Sequence, residues 1–281
     1  MQLNVKLYIL LQKLLPQHGL SRFAGWMASQ RTKWLKNFLI KDFVKRYKVD
    51  LSIAKDENIE SYPDFNSFFT RKLKNAARPI IAGNKKFTSP VDGTVSQIGK
   101  INDDRIIQAK NHDYSLQDLL GGREDLAKNF LHGSFTTLYL APRDYHRVHM
   151  PITGTLKETI YIPGKLFSVN QETAGNLPNL FALNERLVCI FETESGPLAV
   201  ILVGAMLVSG IETTWPLKLP TTEISSKKYN EEITIEKGEE LGHFKMGSTV
   251  ILLSPKNTVT WSNHLRADST VQMGSVIGNL Y

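Results

Sequence analysis

Two runs of strand-forming residues, "LVCIFET" at 187–193 and "LAVILVGAMLVSG" at 198–210, decide the fold class of this 281-residue chain. β-Branched and aromatic side chains such as these favour the pleated, half-buried surface of a sheet. Further runs of this kind, separated by Gly, Pro and Asp, are "GTVSQIG" (93–99), "FTTLYLA" (135–141), "GTLKETIYIPG" (154–164), "ITIEKGEELG" (233–242), "STVILLS" (248–254) and "SVIGNL" (275–280). Few long helical patterns interrupt them, so residues 51–281 are predicted to form a mainly antiparallel β body. The chain is then an α+β protein whose helices are gathered at the N-terminus.

The composition is that of a folded globular protein, with 42% apolar and 22% charged residues. Its length suits one large domain or two smaller ones. The single cysteine, Cys189, excludes an intrachain disulfide, and its apolar neighbours predict a small buried side chain. Within the body, "SYPDFNSFFTRKLK" (61–74) predicts a short amphipathic helix capped by Asp64 or Asn66. The segment "SLQDLLGGREDLAKNFL" (115–131) predicts another helix.

The first 50 residues carry the excess positive charge of the chain. They hold ten Lys or Arg side chains against two acidic ones, a net charge of +8, whereas the whole chain carries +7. Residues 2–17 predict an amphipathic helix that Pro16 ends. Its apolar arc consists of Leu3, Leu7, Tyr8, Leu10, Leu11, Leu14 and Leu15. The following basic residues are interleaved with Phe23, Trp26, Met27, Trp34, Leu35, Phe38, Leu39, Phe43 and Tyr47.

This mixture of cations, aromatic rings and leucines is typical of helices that lie in the headgroup layer of a membrane. The apolar stretch is shorter than the roughly 20 residues that span a bilayer, and it lacks the cleavage site of a signal peptide. Two alternatives are that the helices pack on the body, or that they bind single-stranded nucleic acid. Because the leucine face is long, residues 1–50 are predicted to bind a membrane surface.

The segment "APRDYHRVHM" (141–150) is the best candidate for a catalytic site. His146 and His149 lie three residues apart after a strand, and histidine transfers protons near neutral pH. Their polar neighbours are Arg143, Asp144, Tyr145 and Arg147. A zinc site would need a third ligand, and no pattern in the sequence supplies one. The simpler interpretation is that both are solvated loop histidines.

Two turns also contain residues suited to chemistry. In "SPVDGTV" (89–95), Asp92 followed by glycine predicts a tight turn, and its carboxylate is suited to orienting a histidine. In "FKMGSTVIL" (244–252), Gly247 and Ser248 predict a turn that enters a strand. A serine after glycine has a second option, because its Oγ can attack the preceding carbonyl carbon and no Cβ obstructs that attack.

Six motifs, taken together and in order, resemble those of the bacterial phosphatidylserine decarboxylase proenzymes. They are "SPVDGTV", "LAPRDYHRVHMP", "PGKLFSVN", "NLPNLFALNERLVCIFET", "VGAMLVSGIETTW" and "GHFKMGSTVILL". The similarity runs from about residue 60 to the C-terminus, and a looser similarity covers the basic N-terminal segment. The processing site of the family commonly reads Leu-Gly-Ser-Thr, whereas Met246 stands here in place of the leucine. This is a volume-conserving apolar exchange.

The resemblance implies that the chain cleaves itself between Gly247 and Ser248, into a β chain (1–247) and an α chain (248–281). Ser248 then becomes a pyruvoyl group at the new N-terminus. The pyruvoyl carbonyl forms a Schiff base with the amine of phosphatidylserine, and decarboxylation yields phosphatidylethanolamine without a metal.

By the same resemblance, Asp92, His149 and Ser248 form the self-processing triad. His149 is the general base for Ser248, and Asp92 orients its imidazole and stabilises its cation. His146 is implied to contact the substrate carboxylate or to protonate the carbanion of the product.

The stretch "PGKLFSVN" (163–170) resembles a substrate-pocket segment, in which Phe167 and Val169 are apolar contacts. The resemblance also implies a homodimer, peripheral to the cell membrane on its cytoplasmic face, that binds no nucleic acid. An anionic lipid substrate explains why residues 1–50 carry a net positive charge. Two other classes stay open: a lipoyl-like or phosphocarrier-type carrier domain without self-cleavage, and a non-catalytic lipid-binding module.

Overall fold

The computed structural model describes residues 2–109, 112–206, 210–219, 221–245 and 247–281. The helices in these ranges are α1 (Gln2–Leu14), α2 (Gln17–Ala28), α3 (Lys33–Tyr47), α4 (Phe65–Phe69), α5 (Leu116–Leu119), α6 (Glu124–Ala127), α7 (Gln171–Ala174) and α8 (Leu180–Leu183), with 3-10 turns at Ile59–Ser61 and Lys128–Phe130. The strands are β1 (Lys86–Thr88), β2 (Gly93–Lys100), β3 (Arg105–Ala109), β4 (His112–Ser115), β5 (Ser134–Leu140), β6 (Arg147–His149), β7 (Gly154–Ile162), β8 (Arg186–Thr193), β9 (Gly196–Gly204), β10 (Gly210–Thr213), β11 (Ser225–Lys228), β12 (Thr234–Ile235), β13 (Glu240–Lys245), β14 (Ser248–Ser254), β15 (Val259–Trp261), β16 (Thr270–Val271) and β17 (Val276–Leu280). The predicted α+β class is confirmed.

One large sheet forms the centre of the molecule. Its strands follow the order β11-β7-β8-β9-β14-β5-β2-β16, and β12 also pairs with β7. Each strand runs antiparallel to its neighbours. Successive side chains of a strand point to opposite faces: in β14, Val250 and Leu252 pack into one apolar cluster while Ile251 and Leu253 pack into another. Both faces of the sheet are therefore covered, which explains why its central strands read as continuous apolar runs.

A small antiparallel sheet, with the order β10-β13-β6, leads into the large one. Strand β13 ends at Lys245, and after residues 246 and 247 the chain enters β14 at the centre of the large sheet. The remaining strands form the sheets β1-β17-β15 and β3-β4. The predicted cleavage site therefore lies where the chain passes from one sheet to another.

The helices of the body are shorter than predicted. Helix α4 covers only the middle of 61–74, and Asp64 caps it by accepting a backbone N–H at 2.8 Å. The stretch 115–131 is divided between α5 and α6, because Gly121 and Gly122 adopt φ values of +71° and +86° that end a helix. Cys189 is buried without a disulfide, as predicted.

The N-terminal helices pack on the body through polar side chains. Helix α1 ends just before Pro16, as predicted. The side-chain carbonyl of Gln12 accepts the N–H of Ser168 at 2.8 Å, and that of Gln17 accepts the N–H of Leu166 at 2.8 Å. The opposite faces leave large apolar side chains exposed: Leu7, Leu10, Leu11, Leu14, Leu15, Phe23, Trp26, Trp34 and Phe38. The helices therefore both pack on the body and present an apolar surface to solvent.

Helix α3 joins α4 in a separate aromatic cluster. The ring of Phe43 lies 5.1 Å from that of Phe65, edge to face, and Ile40 is fully buried beside them. This cluster holds α3 close to the residues that follow α4. Among the described residues, no helix combines the length and the apolar composition needed to cross a bilayer.

Candidate active site

Ser248 is the first residue of β14 and is completely buried. Its backbone pairs with Leu140 of β5 and Gly204 of β9, so two neighbouring strands fix its position. Gly247 precedes it with a φ of +49°, in the left-handed region that glycine adopts at little steric cost. The predicted strand is confirmed from Ser248 onward, whereas Met246, which belongs to the predicted turn, lies outside the described residues.

His146 is the side chain that contacts the Ser248 hydroxyl. Its Nδ1 lies 3.4 Å from the Ser248 Oγ, and both residues are fully buried. The imidazole is stacked on Phe69, with ring centroids 4.1 Å apart and planes inclined by 23°. Burial, reinforced by the positive charge of Arg71, lowers the pKa of His146 to about 3. The ring is therefore neutral at physiological pH.

His149 lies at the end of β6 and has different partners. Its Nδ1 is 2.8 Å from the carbonyl oxygen of Gly238, and its Nε2 is 3.1 Å from the hydroxyl of Tyr145. Burial lowers the pKa of His149, but the Gly238 carbonyl and the carboxylates of Glu240 and Asp92 act in the opposite direction. Arg147 adds to the effect of burial, so the pKa of His149 stays below the ordinary imidazole value and the three acceptors offset only part of the shift.

Asp92 holds the turn between β1 and β2 through an ion pair. Its carboxylate accepts hydrogen bonds from Arg78 at 2.8 Å (Nε) and 2.6 Å (Nη2), and from the backbone N–H of Met273 at 2.9 Å. The adjacent Gly93 is required by close packing, because a Cβ there would lie 2.4 Å from the carbonyl oxygen of Tyr139. Residues 90–92 form a bend between β1 and β2, so the chain changes direction here as predicted, although the two strands belong to different sheets and form no hairpin.

The structure brings Ser248 together with His146, and it places the predicted base His149 against other groups. Asp92 likewise contacts Arg78 and a backbone N–H, so its influence on His149 is exerted through charge. The two histidines diverge because His146 precedes β6 while His149 ends that strand. The roles assigned to His149 and Asp92 by resemblance stay predictions.

We predict that Asp92→Ala lowers the free energy of unfolding by about 3–5 kcal/mol, since it leaves the Arg78 guanidinium buried without its partner. Urea denaturation measures this loss. Asp113→Ala is the matched control, because Asp113 pairs with Arg105 at the surface and its removal should cost less than about 1 kcal/mol. Equal losses for the two variants would contradict the structural role of Asp92.

The two predicted substrate-pocket residues lie beneath the N-terminal helices. Phe167 and Val169 are both buried, and the Asn184 side chain fixes the backbone of Phe167 by accepting its N–H at 3.0 Å and donating to its carbonyl at 2.9 Å. Phe167 also lines a cavity of about 670 Å³, whose other walls include Lys13, Leu15, Arg22, Lys165 and Leu183. Val169 belongs to the apolar core.

Several residues around the site were missed by sequence reasoning. Arg78 neutralises Asp92, Phe69 supports His146, and Glu240 acts on His149. The apolar pattern of 61–74 predicted burial of Phe69, but a helical pattern does not indicate which side chain a ring will meet. No spacing in the sequence links Arg78 to a carboxylate fourteen residues away.

The surroundings of Ser248 fit the carbonyl cofactor that the resemblance implies. The residue that would be converted is buried, next to a neutral imidazole, on a strand that fixes its backbone. Within the described ranges, no group of three or more His, Cys, Asp or Glu side chains is arranged to hold a metal ion.

Comparison with known proteins identifies the family of the chain. The profile of a family described as phosphatidylserine decarboxylase matches residues 65–279, and a second profile, described as PSD, matches residues 7–48. The chain is 52% identical over 286 residues to a phosphatidylserine decarboxylase proenzyme of Alcanivorax borkumensis, covering 99% of this chain and 97% of the relative. It is 51% identical over 280 residues to the proenzyme of Ectopseudomonas mendocina, covering 98% of both chains. Similarity of this extent shows that the chain belongs to the phosphatidylserine decarboxylase family.

Proposed function

We propose that the chain cleaves itself at Gly247–Ser248 and then decarboxylates phosphatidylserine to phosphatidylethanolamine with a pyruvoyl group derived from Ser248. The observation that carries the proposal is the buried Ser248 hydroxyl, which follows a glycine with positive φ and lies 3.4 Å from a neutral imidazole. Family membership supports the substrate and the reaction. It gives no support to the carrier-domain alternative.

Self-cleavage begins when the Ser248 Oγ attacks the carbonyl carbon of Gly247 and a base removes the hydroxyl proton. The amide nitrogen of Ser248 then leaves with a proton, and an ester joins the two chains. Loss of the Ser248 Cα proton expels the Gly247 carboxylate from Cβ, so the chain separates into 1–247 and 248–281. The resulting dehydroalanine reacts with water and releases ammonia, which leaves the pyruvoyl carbonyl.

The electrostatics favour His149 as the base in this step, although His146 lies closer to Ser248. A base that accepts the serine proton becomes a cation, and at His146 burial and Arg71 oppose that charge. At His149, burial and Arg147 oppose it as well, but the Gly238 carbonyl and the carboxylates of Glu240 and Asp92 offset part of that effect. We therefore propose that the His149 ring leaves Tyr145 to reach Ser248 in the precursor. We propose that His146 acts after cleavage, on the group formed from the Ser248 side chain that it contacts.

The pyruvoyl group, once formed, supplies the carbonyl that condenses with the substrate amine and accepts the electron pair released with carbon dioxide. The chain contributes a buried site, in which electrostatic interactions are stronger than in water. His146 is placed to deliver a proton next to residue 248, because its Nδ1 faces that residue.

Borohydride reduction in the presence of phosphatidylserine tests this function. It should attach the lipid covalently to the fragment 248–281, where mass spectrometry of the separated fragments would locate it. Attachment to a lysine of either fragment would contradict the assignment to Ser248. The uncleaved Ser248→Ala variant provides the background.

The exposed leucines of α1 support membrane binding by this enzyme. Leu7, Leu10, Leu11 and Leu14 are 50–73% exposed on a segment of net positive charge, which matches the surface of an anionic membrane. We propose that α1 to α3 bind this surface and so bring the site to its lipid substrate. The homodimer and the cytoplasmic face of the membrane are proposed on the resemblance alone.

We predict that replacing Leu7, Leu10, Leu11 and Leu14 with Gln lowers binding to anionic vesicles by about 10²-fold or more, because each leucine loses apolar burial in the headgroup layer. Vesicle sedimentation measures the change. Ile81→Gln is the control, as Ile81 is 43% exposed outside these helices. Binding that survives the four substitutions would reject the membrane role of α1. Deletion of the segment is a poorer test, since Gln12 and Gln17 bond the body.

A further inference from the structure

Arg71 is a buried arginine whose hydrogen-bonding capacity is largely unused. It follows α4 and is only 3% exposed. Its Nη2 donates to the carbonyl of Arg143 at 3.2 Å, and its guanidinium carbon lies 5.5 Å from the centre of the Phe68 ring. In the part of the chain that the structure describes, its Nε and Nη1 are buried and have no acceptor.

Arg186 shows how this protein satisfies a buried arginine that has a purely structural role. It is 2% exposed, and its nitrogens donate to backbone carbonyls of residues 118, 119, 182 and 184 at 2.5–2.8 Å. Arg186 thereby joins the end of α5 to the end of α8. Arg71 is buried to the same degree but has no such set of acceptors. A purely structural role therefore does not explain why a guanidinium is buried at this position.

The carboxylates near Arg71 are engaged by other groups. Asp92 is paired with Arg78, and Asp144 accepts the backbone N–H of Ala141 at 2.7 Å. Burial lowers the pKa of Arg71 in spite of these negative charges. A buried cation without a hydrogen-bonded counter-charge is costly, and an anionic ligand would remove that cost.

Arg71 is connected to the reacting residue through neighbouring side chains. Two residues before it, Phe69 is stacked on His146, and His146 contacts Ser248. The carbonyl that Arg71 bonds belongs to Arg143, in the turn that leads to His146. After burial, the positive charge of Arg71 is the next cause that lowers the pKa of His146. The free donors therefore belong to a residue whose charge acts on the imidazole that contacts Ser248.

We propose that Arg71 binds an oxyanion of the phospholipid substrate beside residue 248. This inference rests on the proposed function. Phosphatidylserine carries two oxyanions near its amine, the serine carboxylate and the phosphate diester, and guanidinium groups bind both with charge-assisted hydrogen bonds. Because Arg71 and Ser248 are both buried in the uncleaved chain, the head group enters after cleavage has separated residues 247 and 248.

Arg71→Lys and Arg71→Gln test the proposal, with Arg186→Lys as the matched control. All three are analysed for cleavage, for thermal stability, and for kcat and KM with phosphatidylserine in mixed micelles. We expect both Arg71 variants to cleave, with KM raised about 10-fold or more and kcat changed less, since a charged hydrogen bond is lost or displaced. Gln should raise KM more than Lys. Arg186→Lys should lower the melting temperature and leave KM unchanged.

Inhibition by the product distinguishes the two oxyanions, because phosphatidylethanolamine keeps the phosphate and lacks the carboxylate. If Arg71 binds the carboxylate, its variants raise KM but leave the product inhibition constant unchanged. If it binds the phosphate, both constants rise together. Normal cleavage with an unchanged KM would overturn the proposal. So would failure of both variants to cleave, because Arg71 would then be needed before any substrate binds.

Failure of this inference is separable from failure of the proposed function. A wild-type chain that neither cleaves nor traps the lipid on fragment 248–281 rejects the function itself. A wild-type chain that does both, with Arg71 variants indistinguishable from it in KM, rejects only the role of Arg71.

Discussion

Ser248→Ala is expected to leave the chain as one uncleaved polypeptide without decarboxylase activity. The substitution removes the oxygen that attacks Gly247 and the residue from which the carbonyl cofactor is made, so processing and turnover fail together. We expect activity to fall by a factor on the order of 10⁶ or more, because the uncatalysed background is all that remains. Denaturing electrophoresis and a carbon dioxide release assay measure the two losses.

Ser254→Ala is the matched control for this variant. Ser254 ends the same strand and is also buried, but its hydroxyl only bonds the carbonyl of Ser134 at 3.5 Å. It should cleave and retain activity. If Ser248→Ala were cleaved at the same bond, or remained active, the assignment of Ser248 would be wrong.

The second large effect separates His149 from His146. We expect His149→Ala to slow self-cleavage by about 10²–10⁴-fold, the usual contribution of a general base. His146→Ala should still cleave and then decarboxylate more slowly by a factor of similar order. The physical reason is the environment of each ring. Burial opposes a cation at both, but the Gly238 carbonyl, Glu240 and Asp92 offset part of that effect at His149, whereas Arg71 adds to it at His146.

Incubation of each purified histidine variant, followed by mass analysis at intervals, gives the cleavage rate independently of turnover. His132→Ala is a suitable control, because that histidine is exposed and pairs only with the surface carboxylate of Asp103 among the described residues. The opposite pattern would show that the 3.4 Å contact with Ser248 defines the base. In that case, His146→Ala would stay uncleaved and His149→Ala would cleave normally.

Much of the fold could be predicted from the sequence, because local patterns dictate it. The apolar runs around Cys189 and Ile251 became central strands of the large sheet, and Pro16 separated two helices. The helix predicted over 115–131 was too long, since Gly121 and Gly122 take positive φ values. A glycine pair lowers the helix propensity of a segment. Whether the helix ends there depends on the backbone conformation that tertiary packing favours.

The candidate site was only partly predictable, because its contacts join segments far apart in the chain. Ser248 and the two histidines could be singled out by residue type and motif. The stacking of Phe69 on His146 and the pairing of Arg78 with Asp92 come from tertiary packing, which no local spacing encodes. For the same reason, the sequence could not indicate that His146 would be the nearer histidine to Ser248.

The intact mass of freshly purified, active wild-type protein tests the central claim most directly. Self-cleavage at Gly247–Ser248 predicts two polypeptides, 1–247 and 248–281. The second should have the mass of a pyruvoyl N-terminus, react with carbonyl reagents and resist Edman degradation. A single uncleaved chain of 281 residues in active protein would contradict the account.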